Sequence, residues 1–416
     1  MKKESGMNKG VNLSQTGILY NPHFFDDELT EKLFVARQKH FEYLLHKITQ
    51  EKEHSIPQHH IIIGRRGLGK TMFLKRIEVE LHKEQYRLRF IPLLYREEQY
   101  NVHDIPGFWL NTLDALADCL KLENYPVQMI AGIENAITEF SGKPPHIITE
   151  DAYSYLMNLC NNLNRRPVLL IDNIDIVFSR FNTTNDDYKG LWALRKILSE
   201  NGAPIVVGAG NSLNAHFSDY SMPFYDFFLT QQLYKLNYEE FTKILINLAT
   251  ITNCGTFIHD SINDSRHRVF YELTEGNPRI TVMLFEQIAQ DFPSNIYDNL
   301  IKIVDSITPI YKAQFEEMST QQQIIIDAIA LNWDAISLHE LSMATRLRNN
   351  QLSPQLIRLV DGGWLETTPA QKAKGNAYLL RDRLFNMYYL LRYGSRRHKK
   401  IVYSLVEQKM DEYRIP

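Results

Sequence analysis

A chain of 416 residues, 44% hydrophobic and 23% charged with a formal net charge of −3, has the composition of an ordinary soluble globular protein and the length for two or three domains with cores of their own. No segment approaches the uninterrupted apolar length that spans a bilayer, and the first residues are polar where a secretory signal would be apolar, so no membrane contact and a cytoplasmic location are expected. The three cysteines, Cys119, Cys160 and Cys254, are odd in number, far apart and without metal-ligand spacing; buried apolar thiols are expected, not a disulfide framework or a zinc site.

Charge is unevenly spread. From Ser337 to the C-terminus there are fourteen Lys and Arg against seven Asp and Glu, so the acidic excess lies before that point. The basic surplus makes nucleic acid a candidate partner at the C-terminal end, with a solvated helix face as the alternative.

Residues 1–20 are polar and aperiodic, which predicts a mobile arm. From Asp26 to Gln50 a helical period collects Leu33, Phe34, Phe41, Leu44, Leu45 and Ile48 on one face, interrupted around Val35 to Gln38. His60-Ile61-Ile62-Ile63 then reads as a short buried strand. It runs into Gly64-Arg65-Arg66-Gly67-Leu68-Gly69-Lys70-Thr71, a complete phosphate-loop pattern, and Met72 to Lys83 keeps Phe73, Leu74, Ile77 and Leu81 on one helical face. Gly64, Gly67 and Gly69 allow a turn tight enough for backbone N–H groups to converge on phosphate oxygens at a helix N-terminus. In this pattern Lys70 reaches the β- and γ-phosphates and Thr71 ligates magnesium. Leu68 and Met72, on either side of Gly69-Lys70-Thr71, count with the nucleotide-binding residues. A nucleotide with Mg2+ is therefore the expected ligand.

Tyr86 to Tyr95 alternates and then runs apolar, as a strand entering a parallel sheet does. Helices follow over Phe108–Leu122 and Tyr125–Phe140, a break at Ser141 to Pro145, and a further helix over Ala152–Leu163. Arg166 to Ile171 is an apolar strand that delivers Asp172 at its carboxyl end, where a carboxylate beside the magnesium belongs. Asp175 can act as general base or polarise the attacking water, or it can cap the next helix. A helix over Asp187–Asn201 leads to a strand over Ala203–Gly210 that ends in Asn211. That residue can bond the γ-phosphate or the water, or cap a turn. A last short strand lies between Phe227 and Leu236. Strands alternating with helices at this spacing define an α/β fold: a three-layer phosphate-loop core with a parallel sheet, residues 21–236.

Beyond it the pattern is helical: Tyr238–Ala249, Ser265–Leu273 and Pro278–Asp291, a lid over residues 237–295. Glu275-Gly276-Asn277-Pro278-Arg279 ends one helix and begins another, so Arg279 leaves a helix start as an exposed arginine or as a nucleotide sensor. Helices at Asn299–Met318 and Thr320–Leu331, a helix start at Ser337, a second helix over Leu352–Val360 and a hairpin with Lys372 and Lys374 at its tip make residues 296–416 a winged-helix domain with a basic C-terminal helix. Its candidate DNA contacts are Arg346, Arg348, Arg358, Lys372, Lys374, Arg396, Arg397, Lys399 and Lys400; packing of the domain on protein is the alternative. His40, His46, His54, His59, His60 and His82 are too irregular for a metal site and are expected at the surface or at strand edges.

Phosphate loop, acid-terminated strand, Asn-terminated strand, lid with Gly-Asn-Pro-Arg and winged helix together resemble the AAA+ and STAND ATPases, especially bacterial and archaeal relatives of origin-recognition initiators. The resemblance spans roughly Asn21 to Arg392. It implies that Phe34-Val35-Ala36-Arg37 stands for the box that helps hold adenine, with Val35 and Arg37 near the base and Ala36 in place of the usual glycine. It also implies that Pro278 packs near the base and that Arg279 is the second sensor. ATP is implied over GTP, and no Asn-Lys-x-Asp guanine signature is present. Two departures stand out. Asn173 occupies the position where briskly hydrolysing members carry Glu, and Asn211 to Tyr234 contains no Arg or Lys to serve as a finger for a neighbouring subunit. The resemblance thus implies a slowly hydrolysing, switch-like ATPase that self-associates or controls a separate effector protein, a plausible role in antiphage defence. The alternative is an initiator- or loader-like ATPase on duplex DNA. A metabolic kinase is disfavoured because no substrate domain replaces the winged helix.

Overall fold

The computed structural model describes residues 25–52, 54–95, 102–181, 188–211, 219–252, 265–290, 318–369 and 375–412, with single positions 22, 217, 305, 308, 311, 312, 315 and 316. The expected N-terminal arm, most of the helix at Asn299–Met318, Cys254, Lys372 and Lys374 lie outside the described residues. The chain divides into two compact units, Asn21–Tyr234 and Lys235–Pro416 together with Met1–Tyr20.

In the first unit the elements are α1 (Asp27–Leu33), α2 (Gln38–Gln50), β1 (His59–Ile63), α3 (Lys70–Leu81), α4 (Glu84–Arg87), β2 (Phe90–Leu94), α5 (Ile105–Leu122), α6 (Val127–Ser141), α7 (Pro145–Asn162), β3 (Arg166–Ile171), α8 (Ile174–Arg180), α9 (Lys189–Leu198), β4 (Ile205–Gly210) and β5 (Phe228–Gln232). The five strands form one parallel sheet in the order β2-β3-β4-β1-β5. Side chains along β1 to β4 alternate between two apolar layers. Ile61, Ile63, Leu169, Ile171 and Val206 join one layer, filled by α5 to α9 with Phe108, Trp109, Leu156 and Leu194. Ile62, Val168, Leu170, Ile205 and Val207 join the other, filled by Phe41, Leu44 and Ile48 of α2 and Phe73, Leu74 and Ile77 of α3. The α/β sandwich of three layers expected from the alternation of elements is the fold observed.

Several boundaries moved for local reasons. The helical period from Asp26 to Gln50 is two helices, because Arg37 adopts the left-handed conformation (φ 66°) between them. The strand expected from Tyr86 begins only at Phe90, after the single turn of α4. Pro92 is tolerated in β2 because that strand is an edge of the sheet, where a missing N–H costs no ladder bond. α7 begins at Pro145, which supplies a preset φ for the first helical turn, so the break before it is shorter than expected. The histidine expectation is corrected at two positions. His59 and His60 are buried in β1, which lies between β4 and β5 inside the sheet. His59 accepts the Val206 N–H on Nδ1 at 3.1 Å and faces the Leu198 carbonyl with Nε2 at 3.1 Å, so the neutral ring plugs into two backbone groups.

The second unit contains α10 (Tyr238–Ile251), α11 (Ser265–Thr274), α12 (Pro278–Gln290), α13 (Thr320–Ala330), β6 (Ile336–Ser337), α14 (Leu338–Thr345), α15 (Asn349–Asp361), β7 (Leu365–Pro369), β8 (Asn376–Leu380), α16 (Arg383–Arg392) and α17 (Arg396–Glu412). Reciprocal capping boxes start α10 (Asn237 with Glu240), α13 (Ser319 with Gln322) and α14 (Ser337 with Glu340). β7 and β8 pair antiparallel as a hairpin, and β6 adds to β8. α16 had no periodic signal because Leu384 to Leu391 are buried on every side. Its one buried polar side chain is matched: Asn386 donates to the carbonyls of Ala330 and Asn332 at 2.7 and 3.2 Å.

Candidate nucleotide site

The loop grows out of the interior of the sheet. β1 ends at Ile63, and the Gly64 N–H donates to the Gly210 carbonyl at the end of β4, 3.1 Å away. Gly67 and Gly69 both have φ of 84°, a left-handed backbone that glycine adopts without steric cost. Gly69 is also the N-cap of α3 and offers no capping side chain, so the first turn of that helix keeps its N–H groups for a ligand. At Gly64 the constraint is space, since a Cβ there would stand 3.1 Å from Cβ of Leu233.

Lys70 follows directly and is buried. Its ammonium donates to the carbonyls of Gly64 at 2.7 Å and Arg65 at 3.1 Å, and to Oδ1 of Asn211 at 3.0 Å. These three acceptors use all three N–H donors of the group. Burial nonetheless draws its pKa down to about 8, opposed by the nearby carboxylates of Asp172 and Asp175. Thr71 donates its hydroxyl to Oδ2 of Asp172 at 2.5 Å, and Oδ1 of Asp172 accepts the Asn173 N–H at 2.9 Å. Asp172 is buried at the carboxyl end of β3, where the sequence places it.

Asp175 stands in the first turn of α8; the N-cap is Asn173, whose side chain makes no capping bond and whose φ is 51°. Oδ2 of Asp175 accepts the N–H of Asn211 at 3.1 Å, so this carboxylate holds the end of β4 in place. Burial raises its pKa, while that backbone bond and the charge of Lys70 oppose the rise. Arg37 joins the same constellation from the other side. It donates to the carbonyl of Leu68 inside the loop at 2.5 Å and to that of Tyr234 beyond β5 at 2.6 Å. Val35 is half-buried in the turn two residues earlier, and Met72 lies in the first turn of α3.

Lys70, Thr71, Asp172, Asp175, Asn211 and Arg37 thus meet around Gly64 to Gly69 within one unit. Pro278 and Arg279 belong to the other, at the start of α12. There Asn277 accepts the N–H groups of Arg279 and Ile280 at 3.1 and 3.3 Å. Gly276 before them has φ of 65°, and a Cβ on it would lie 2.2 Å from the Leu236 carbonyl oxygen. No L-residue with a side chain fits that corner. One participant escaped the sequence reading: Gly210, whose carbonyl receives Gly64 and on which a Cβ would lie 3.3 Å from Cγ of Asp175. Two glycines, Gly208 and Gly210, inside an otherwise apolar strand were the available signal of close approach.

Among the other candidates, Arg346 caps the end of α14, Arg348 precedes α15 and Arg358 lies in its last turn, all exposed. Arg396, Arg397 and Lys400 are exposed in the first turns of α17, and Lys399 is half-buried.

The parallel sheet with a phosphate loop between β1 and α3 defines the three-layer phosphate-loop class of fold. Among solved structures it is similar to the Walker-type ATPase PABY2304 of Pyrococcus abyssi, with a TM-score of 0.58 at 14% identity over 85% of this chain and 95% of that one. It is also similar to the ORC2 protein of Aeropyrum pernix in its ADPNP–ADP complexes, with a TM-score of 0.56 at 13% identity over 91% and 96%. At such identities the likeness is one of fold. No family model and no curated protein matches the sequence. Among the described residues no helix is long and apolar enough to cross a membrane.

Proposed function

We propose that the chain binds ATP with magnesium at Gly64 to Thr71 and uses it as a slowly hydrolysing switch that controls assembly or the engagement of a partner. Phosphate oxygens would take the place of the Gly64 and Arg65 carbonyls on Lys70 and would meet the open N–H groups at the start of α3. The Thr71 hydroxyl and the Asp172 carboxylate are hard oxygen donors side by side, the type magnesium prefers, and they would hold the ion. The bound ion would neutralise charge on the β- and γ-phosphates. Asn211, whose N–H is held by Asp175 and whose side-chain oxygen accepts from Lys70, would sense the γ-phosphate from there.

The observation that carries the slow-switch reading is at Asn173. The position after Asp172 lacks a carboxylate, and its left-handed backbone is one that Asn tolerates better than Glu. The absence of Arg and Lys between Asn211 and Tyr234 agrees, because no finger for a neighbour's γ-phosphate can come from there. An effector protein, as in an antiphage system, would then read the nucleotide state. The test is the size of the protein in solution with ADP and with a nonhydrolysable ATP analogue. A shift in assembly state between them, lost in Lys70→Ala, is expected; identical behaviour with both nucleotides would refute the switch.

A second reading rests on the exposed arginines around α14 and α15 and at the start of α17. α13, α14, α15 and the β7–β8 hairpin have the composition of a winged helix, and these cations would neutralise phosphates of duplex DNA. Adding DNA to the same sizing experiment separates a loader from a pure switch.

A further inference from the structure

The end of α3 remote from the phosphate loop carries a second cluster of chemistry. His82 caps α3, Cys119 lies in the last turns of α5 and Glu123 caps α5. Tertiary packing brings His82 Nε2 to 3.6 Å from Cys119 Sγ and to 3.6 Å from Glu123 Oε1, with all three ligand atoms within 4.8 Å of one another. Cys119 and Glu123 stand four residues apart, on one face at the end of α5, whereas His82 is 37 residues from Cys119 in the chain.

From these residues we infer a binding site for one zinc-like divalent cation, ligated by His82 Nε2, Cys119 Sγ and Glu123 Oε1. The distances suit it. Tetrahedral zinc, with bonds of about 2.0–2.1 Å to nitrogen and about 2.3 Å to sulfur, separates its ligand atoms by roughly 3.3–3.7 Å. Two of the three edges already have that length, and the third, within 4.8 Å, would close by about an ångström. The donor set, one imidazole, one thiolate and one carboxylate, selects a borderline metal over magnesium or calcium. A fourth position remains for water, as in zinc sites with three protein ligands.

The surroundings are built like a metal's outer shell. Arg165 is buried and grips Glu123 with both guanidinium nitrogens, at 2.5 Å to Oε2 and 2.7 Å to Oε1. Its Nε donates to the Phe90 carbonyl at 3.0 Å, so the fork is itself fixed. Such a clamp orients a carboxylate while leaving Oε1 a lone pair for the ion. With the thiol deprotonated, one thiolate, one carboxylate, the arginine and the cation sum to a single positive charge. That charge lies against the C-terminal end of α3, where the helix dipole favours a cation. The site would join α3 to α5 at the opposite end from the nucleotide, and a bound ion would stabilise the ATPase core.

Cobalt(II), the spectroscopic stand-in for zinc, tests this on the full chain. Titration should give one equivalent of tightly bound metal with a thiolate-to-cobalt charge-transfer band, bleached by zinc. The band should persist in Cys160→Ser and Lys70→Ala and vanish in Cys119→Ser and His82→Gln. Zinc should raise the melting temperature of the wild type and leave that of Cys119→Ser unchanged, provided both show the same circular dichroism. Absence of a charge-transfer band in the wild type would overturn the site without recourse to any variant, and so would a band that survives Cys119→Ser. Nucleotide binding is measured separately, so failure of the metal site leaves the ATPase reading standing.

Discussion

Asp175 offers the sharpest test of the chemistry, because its two roles respond differently to one atom. Its Oδ2 holds the Asn211 N–H at 3.1 Å, and its charge sits beside Lys70. Asp175→Asn keeps an oxygen acceptor for that N–H and removes only the charge. Asp175→Ala removes both and leaves that part-buried N–H without this partner. A hydrogen bond to a charged group contributes about 1.5–3 kcal/mol, so the alanine variant should lose about 2 kcal/mol and melt roughly 4–8 °C lower. The asparagine variant should melt near the wild type. If the carboxylate polarises the attacking water, both variants should lose about 10²- to 10⁴-fold in single-turnover ATP cleavage with nucleotide affinity retained. Wild-type cleavage in Asp175→Asn beside a destabilised Asp175→Ala would reduce the residue to an anchor for β4 and refute its part in the reaction.

Lys70→Ala should abolish ATP and ADP binding by calorimetry, and retained affinity would sink the nucleotide site itself. In the wild type, burial places the Lys70 ammonium near a pKa of about 8. Binding should then take up a proton above that pH and weaken by up to about tenfold per pH unit; a flat profile from pH 7 to 9.5 would contradict this. His59 and His60 are held neutral by burial, their pKa values lowered from 6.5 to about 4. The unfolded chain therefore binds more protons between those limits, so their contribution is complete above pH 6.5 and is lost as pH falls toward 4. The cost is on the order of 3 kcal/mol for each ring. Urea midpoints that do not move between pH 7 and 5 would show the rings charge without penalty. Replacing Arg396, Arg397, Lys399 and Lys400 by Ala should lower the salt slope of duplex DNA binding by about 0.9 for each lost phosphate contact. A wild-type protein that never shifts DNA would end the second reading.

The sequence alone determined what local chemistry can determine. The phosphate loop was legible because glycine spacing, Lys70 and Thr71 are dictated by backbone geometry over eight consecutive residues. The strand ending in Asp172 was legible because a two-sided buried strand must be an unbroken apolar run. Gly276 was legible as punctuation, and the structure supplies its reason in the Leu236 carbonyl pressed against it. Contacts across the sheet were beyond that reach. No local pattern announces that Arg37 bonds the loop carbonyl of Leu68, 31 residues away. Asp175 read locally as base or cap, and only the placement of β4 brings the Asn211 N–H to it. His59 and His60 read as edge residues, because nothing local reveals that β1 would be flanked on both sides. α16 left no periodic trace because burial on every side removes the polar face that makes a helix legible. Cys119 and Glu123 share one face at the end of α5, but His82 meets them only because α3 ends at the same place in space. Periodicity and motif record what a residue's near neighbours require. Which distant groups face one another is decided by sheet order and helix packing, and that is where the anchor of β4 and the cation site reside.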